Sequence, residues 1–332
     1  MSSPSSAGTV PVSVVIITHR SSAALDAALE SVLAQDHRPL EIILFGNGGQ
    51  AEPNAASPPS DVPLRRGGSD RNLGVAGGRN AAAKLASGAA LLFLDDDAAL
   101  FPGAIRAAVH ALESTGAGAV AFRILDPATG SPALWYYPFE QEPWSARRFE
   151  APSVIGCGAL VRREAFERLG GFWSGYFREV EEIDLSWRLI DAGWPIVYEP
   201  EAVVEHPERV ERHLRFSVAS NLLLVWRLLP ARLALRQTAV KLAVFGVRSV
   251  RYAEVGLFAR GLLDALRSSG RLGRERARLR PVTVRYLRRV HAPQGLGKRL
   301  QWSLRPLAPP APHGGQPTGP DAPAESPSPP RW

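Results

Sequence analysis

Residues 90–97 read ALLFLDDD, five apolar residues that run straight into three aspartates. An unbroken apolar run this short predicts a strand buried on both faces. Its carboxyl end delivers at least two carboxylates to one point. Upstream, AGGRNAAAKLA (76–86) predicts a helix opened by glycines and LEIILF (40–45) a second strand. AALDAALESVLAQ (23–35) places Leu25, Leu29, Val32 and Leu33 at helical spacing, and VSVVIIT (12–18) is a β-branched first strand. Strand and helix alternate, so the fold class is α/β with a mostly parallel sheet, and ligands are expected at the strands' carboxyl ends. Those ends carry Thr18-His19-Arg20, Gly46-Asn47-Gly48 and Asp95-Asp96-Asp97.

Downstream, the pattern predicts a helix over 102–114, a strand over 119–125 and an irregular aromatic segment over 134–144. GCGALVRREAFERLGGF (156–172) reads as a strand and a short helix. A helix from Val180 carries Ile183, Trp187 and Ile190 on one side and stops at Gly193, before two short strands, PIVYEP (195–200) and AVVEH (202–206). Beyond residue 213 the text is Leu/Arg-rich and helical. Ten of the 27 residues from Pro306 onward are proline, which predicts disorder.

The chain of 332 residues is 45% hydrophobic and 21% charged, which excludes a wholly disordered or collagen-like chain and leaves room for one large α/β domain with an appendage. The lone Cys157 can form no intramolecular disulfide, which fits a reducing compartment. The N-terminus shows no basic and apolar leader, so a cytoplasmic location is expected. The longest apolar stretch, 217–247, is broken by Arg227, Pro230, Arg232, Arg236 and Lys241, which argues against a membrane span. Charge is divided: residues 1–212 hold 18 Lys+Arg against 27 Asp+Glu, a net −9, whereas residues 213–332 hold 21 against 5, a net +16. Anionic lipid, nucleic acid or an acidic partner would each suit the basic third.

The three aspartates would repel one another unless a hard divalent cation, Mg²⁺ or Mn²⁺, sat between them; a helix-capping acidic turn is the alternative. Glu181-Glu182-Ile183-Asp184 is either a favourable acidic helix start or the source of a general base whose pKa its neighbours raise. NLGVAGGRN (72–80) is either an anion-cradling helix entrance or an ordinary loop. No GxGxxG follows the first strand and no P-loop is present, which argues against the common dinucleotide and P-loop NTPase classes.

In this order, VSVVIITHR with SVLAQ, EIILFGNGG, NLGVAGGRN, LFLDDD, GCGALVRREAFERLGGF, YFREVEEIDLSWRLIDAGW and YEPEAVVEH resemble the family 2 inverting glycosyltransferases of the glycosyltransferase A fold. The branch is that of bacterial rhamnosyl- and galactofuranosyltransferase-like enzymes, and the likeness covers roughly residues 10–213. The resemblance implies a nucleotide-diphosphate sugar donor contacted by Thr18, Arg20, Asn47, Arg79, Asn80, Asp95 and Asp96. It implies a metal held by Asp97, Asp95 and His206, and Glu182 as the catalytic base, with Asp184 orienting the acceptor or serving as the base instead. Gly156 and Gly158 are implied where acceptor and donor sugar meet. Trp173, Tyr176 and Trp194 offer either sugar-stacking faces or core packing. The chain departs from the family in having Gly46 where similar enzymes carry an aspartate that contacts the base, and Thr18-His19-Arg20-Ser21 where they read T-Y-N-R.

The expected organisation is a disordered N-terminus (1–9), a glycosyltransferase A-type catalytic domain (10–212), a basic helical extension (213–305) divided at Pro230, and a disordered tail (306–332). The expected activity is metal-dependent transfer, with inversion, from a dTDP- or UDP-sugar to a glycan or polyprenyl-linked acceptor in cell-envelope or exopolysaccharide synthesis. The extension would rest on an anionic membrane at its inner face; nucleic acid is not expected, because no binding motif accompanies the charge. Two alternatives stand beside this reading. A nucleotidyltransferase would need a glycine-rich loop with Lys or Arg after the first strand, which is missing. A degenerate membrane-associated scaffold is kept open by Gly46 and opposed by the intact acidic set.

Overall fold

The structure, a computed structural model, describes residues 9–49, 61–132, 145–207 and 213–291. The aromatic segment expected over 134–144, the tail over 306–332 and most of the N-terminal segment lie outside the described residues. The N-terminal part runs β1 (Val12–Thr18), α1 (Ala23–Leu33), β2 (Leu40–Asn47), β3 (Leu64–Ser69), α2 (Gly74–Ala83), β4 (Ala90–Asp95), β5 (Ala99–Leu100), α3 (Ala104–Thr115) and β6 (Ala119–Leu125). It continues with β7 (Phe149–Glu150), β8 (Ala159–Arg162), α4 (Arg163–Arg168), α5 (Glu181–Asp191) and β9 (Ile196–Glu205).

The strands form one sheet in the order β3-β2-β1-β4-β8-β6-β9-β5, with β7 added on β9. Strands β3, β2, β1, β4, β6 and β9 share a direction, while β8 is antiparallel between β4 and β6, and β5 and β7 oppose β9. The sheet is therefore more mixed than the alternation alone predicts. Because β8 runs backwards, it starts at the end of the sheet where β4 and β6 finish.

Both faces are covered, as the unbroken apolar runs require. Val12, Val14 and Ile16 of β1 pack with Leu25, Leu29 and Val32 of α1 and Ile105 and Leu112 of α3. Val15 turns to the other face, joining Ile43, Phe45, Leu91 and Phe93 against Ala76 and Ala82 of α2, Phe166 of α4 and Leu185 and Leu189 of α5. Each such aliphatic side chain contributes about 1.5–3 kcal/mol through burial. Ser22 caps α1 by accepting the Leu25 N–H at 3.1 Å, and left-handed Gly103 and Gly116 bracket α3.

Two elements differ from expectation. β3, LRRGGS, carries no apolar alternation; it is an edge strand held by its parallel ladder to β2, and its arginines suit an edge that must not recruit another strand. The two short strands expected over 195–206 are one strand, β9. Its register slips where Phe122 faces Glu199 but Arg123 faces Val203, so Pro200, Glu201 and Ala202 bulge out, at a proline that has no N–H to give. The buried Glu199 carboxylate holds the bulge, accepting Glu201 N–H at 3.1 Å and Arg148 Nε at 2.6 Å.

The basic part supplies α6 (Leu214–Leu228), α7 (Ala231–Arg251), α8 (Val255–Arg267), α9 (Ser269–Arg274) and α10 (Pro281–His291), with Pro230 between α6 and α7. Leu223, Leu224 and Leu228 of α6 and Val284 and Leu287 of α10 enclose Trp173, Tyr176 and Val180, so this part shares a core with the segment that leads into α5. Among the described residues no helix is long and apolar enough to cross a membrane.

Candidate active site

The carboxyl ends of β1, β4 and β9 and the start of α5 converge on one polar cluster with Arg79 at its centre. Arg79 is buried on α2. Its Nη2 donates to Asp95 Oδ1 at 2.7 Å and to the Gly156 carbonyl at 3.1 Å, and its Nη1 donates to Glu181 Oε1 at 3.1 Å. Burial opposes its charge, but Asp95, Glu181 and Glu182 more than compensate and raise its pKa above the ordinary guanidinium value. Gly156 makes room here for the arginine: a Cβ on it would lie 2.4 Å from the guanidinium nitrogens. Gly158 likewise lets Val204 and Phe122 close over it.

Asp95, Asp97 and His206 bring two carboxylate oxygens and an imidazole nitrogen within 4.8 Å of one another. His206 Nε2 lies 3.3 Å from Asp97 Oδ1 and 3.7 Å from Asp95 Oδ2. β9 delivers the histidine, whose backbone N–H donates to Leu125 at the end of β6 at 2.9 Å. Two hard oxygens with one imidazole suit Mn²⁺ or Mg²⁺, so the donor set fits such an ion. Asp96 points elsewhere: its Oδ2 lies 2.5 Å from Thr18 Oγ1, which also sits 2.9 Å from the Arg20 carbonyl. Burial first, then the charges of Asp95 and Asp97, raise the Asp96 pKa, partly offset by Thr18.

Glu181 and Glu182 open α5, and each keeps a buried Oε2 without a hydrogen-bond partner. Burial, and then the charge of Glu181, push Glu182 well above the usual carboxylate range, against the pull of Arg79. The turn before them is strained: Glu179 (φ 67°) and Val180 (φ 60°) are both left-handed, costing about 1–3 kcal/mol each for residues with a Cβ. Three contacts hold it. The Phe177 carbonyl accepts Val75 N–H at 2.7 Å, the Arg178 carbonyl accepts Ser220 Oγ at 2.7 Å, and Glu179 accepts Ser217 Oγ at 2.8 Å. Two of the three come from α6.

Several residues expected in the site hold the scaffold instead. Asn47 is buried and uses its amide on the Leu73 N–H and the Gly74 carbonyl, at 2.9 and 3.0 Å, so it shapes the loop and does not face a base. Asn80 clamps the backbone of Phe172 through both amide atoms. Asp184, expected to orient the acceptor or act as base, is fully buried, bonded to Arg188 at 2.5 Å and to Tyr176 Oη at 3.1 Å, and so is a structural anion. Trp173 has no free face: Tyr176 packs against its ring, Arg227 and Arg271 cover it, and its Nε1 donates to Glu275. Trp194 precedes β9 and packs on Gly118, roughly 30 Å along the strand from His206. The exposed Arg20 stays at the rim. Beside it stands His19, its Nε2 3.1 Å from Nδ2 of Asn72, the residue that opens the 72–80 stretch.

Comparison with known proteins agrees with this geometry. The Glycosyl transferase family 2 profile matches residues 13–170. N-acetylglucosaminyl-diphospho-decaprenol L-rhamnosyltransferase of Mycobacterium tuberculosis is 30% identical over 229 residues, covering 58% of this chain and 75% of the relative. The uncharacterized glycosyltransferase YwdF of Bacillus subtilis is 31% identical over 185 residues, covering 52% and 68%. Among solved structures, the mannosyltransferase PcManGT of Pyrobaculum calidifontis, in complex with GDP-Man and Mn²⁺, superposes with a TM-score of 0.52 at 16% identity, over 90% of this chain and 84% of that one. S. aureus TarS 1–349 gives 0.53 at 13% identity, over 88% and 90%. The chain belongs to glycosyltransferase family 2, and its fold is that of the glycosyltransferase A class. It is a glycosyltransferase of the bacterial rhamnosyltransferase-like branch.

Proposed function

We propose that the protein moves one sugar, with inversion, from a dTDP- or UDP-sugar to a hydroxyl of a glycan or polyprenyl-linked acceptor at the inner face of the cell membrane. In this reading residues 10–212 form the catalytic domain and residues 213–305 a basic extension. Glu182 takes the proton from the acceptor hydroxyl as that oxygen attacks the anomeric carbon, and the nucleoside diphosphate leaves from the opposite face. A Mg²⁺ or Mn²⁺ ion held by Asp95, Asp97 and His206 supplies neutralisation of the diphosphate charge when bound. Arg79 keeps Asp95 and Glu181 in register so that base and diphosphate site face one cleft. Thr18, Arg20 and Asp96, with His19 and Asn72, line the donor side, where Gly46 leaves no carboxylate for the base.

The observation that carries the reading is that one buried arginine ties the Asp95-Asp96-Asp97 turn to the Glu181-Glu182 helix start. The polyprenyl acceptor is supported by the mycobacterial relative, whose name gives a decaprenyl-linked one. The test is Glu182→Gln with dTDP- and UDP-sugars. Transfer is expected to fall about 10²–10⁴-fold while metal-dependent binding of the donor nucleotide is kept. Undiminished transfer removes Glu182 from the role, and a wild-type chain that binds no nucleotide leaves the scaffold reading in its place.

A further inference from the structure

α7 and α8 pack on α6 and on each other, with the half-buried Leu242, Phe245, Leu257, Phe258 and Leu262 set around the buried Val218 and Leu222 in a small core of their own. Gly261 lets α8 approach closely, since a Cβ there would lie 2.6 Å from the Arg215 carbonyl on α6. A surface helix whose apolar stripe is used in this way normally turns a polar face outward. These two do not. On α7, Leu235, Ala239, Ala243, Val247 and Val250 stand exposed at spacings of three or four, Leu235 at 64% and Val250 at 73%. On α8, Val255, Ala259, Leu263 and Leu266 do the same, Leu266 at 68%.

Arginines border both stripes. Arg232, Arg236 and Arg251 flank the one on α7, and Arg260 and Arg267 the one on α8, all exposed. Residues 231–274 hold nine Lys+Arg and two Asp+Glu, and one of those acids, Asp264, is already paired with Arg215. Apolar stripes edged with arginine, on helices too polar to cross a bilayer, fit one kind of partner: the interface of an anionic lipid bilayer, where the aliphatic side chains enter the acyl boundary and the guanidinium groups meet phosphate.

We infer that the outer faces of α7 and α8 form a lipid-docking surface specific for anionic bilayers, which holds the protein on the membrane without spanning it. This goes beyond the transfer reaction and does not depend on which donor or acceptor is used. The experiment is co-sedimentation of the full chain with vesicles of phosphatidylcholine alone and of phosphatidylcholine mixed with phosphatidylglycerol. Wild type is expected to bind the mixed vesicles, weakly or not at all the neutral ones, and less as salt rises. Each of Arg232→Gln, Arg236→Gln and Arg260→Gln is expected to weaken binding about fivefold, from the loss of one lipid-facing charge. Val250→Glu and Leu263→Glu are each expected to weaken it about tenfold or more.

All of these positions are exposed, so circular dichroism and nucleotide binding should match wild type and separate a docking defect from misfolding. Three outcomes overturn the inference: no binding of wild type to anionic vesicles, binding unchanged in the α7 and α8 variants, or a wild-type dimer that Val250→Glu dissociates, which would make the face a contact between two copies. Binding is read without turnover, so its failure leaves the transferase reading standing, and failure of the Glu182 test leaves the docking surface standing.

Discussion

Replacing Arg79 with methionine keeps most of the side-chain volume and removes a guanidinium that joins three parts of the site. The guanidinium donates to Asp95 at 2.7 Å and to Glu181 and the Gly156 carbonyl at 3.1 Å. Its loss leaves Glu181 buried with no cation in contact. Breaking a buried pair from one side costs about 3–5 kcal/mol, because the remaining charge has lost both water and partner. At about 2–4 °C per kcal/mol for a chain of this order of size, melting should fall by on the order of 10 °C. The pH dependence has a definite sign. Without the cation, the already raised folded pKa values of Glu181 and Glu182 rise further above their unfolded ones, so the folded state binds protons more tightly and the defect grows as pH rises. It should shrink as pH is lowered toward about 4.5. Calorimetric melting between acid and neutral pH tests this, with Arg79→Lys recovering only part, since an ammonium cannot reproduce the fork. A melting shift under about 2 °C at neutral pH would refute the assignment of Arg79 as the site's central cation.

Because burial and Glu181 hold the Glu182 pKa well above the ordinary carboxylate value, and a base must be ionised to act, the rate should climb with pH through a limb lying above that value; a flat profile from pH 4.5 upward counts against Glu182. The same shift makes the stability that protonated Glu182 contributes complete below the unfolded value and lost as pH rises through the folded one, measurable as the difference between wild type and Glu182→Gln. Asp97→Asn and His206→Ala should each weaken Mn²⁺ binding at least about tenfold in calorimetric titration, with melting of the metal-free chain nearly unchanged. Gly156→Ala should cost about 1–3 kcal/mol in urea unfolding and reproduce a mild Arg79 defect, because the added methyl would sit 2.4 Å from the guanidinium.

The sequence makes the strand-and-turn part of the site legible because its signals are local. ALLFLDDD contains both the buried strand and the carboxylates it delivers, and AVVEH brings His206 to the same end by the same logic. What it hides depends on contacts between distant residues. Arg79 reaches partners 16, 77 and 102 positions away, so no spacing rule marks it as buried. Glu182 and Asp184 lie two residues apart on one helix and therefore face different ways. Arg188, one helical turn after Asp184, was the available signal that Asp184 is internally paired. β3 escaped notice because an arginine- and glycine-rich edge strand lacks the alternation on which strand assignment rests. Asn47 and Asn80 lie beside the expected ligand in sequence, yet their side chains turn toward backbone that only folding brings near.

The reversed strand β8 has a consequence for how such an enzyme can change. β6 leaves the sheet at Leu125 and β8 enters it at Ala159 on the same rim, the exit closed by the Leu125–Pro132 bridge and the entrance by Ile155–Gly158. The excursion between them begins and ends at the mouth of the site, and among its described residues only β7 joins the sheet. It is a cassette: doubling its length adds only about 0.6 kcal/mol of closure entropy. The donor-side strands keep their registers whatever it contains. A change of chain length between β6 and β8 therefore leaves the ladders of β1 with β2 and β4 as they are.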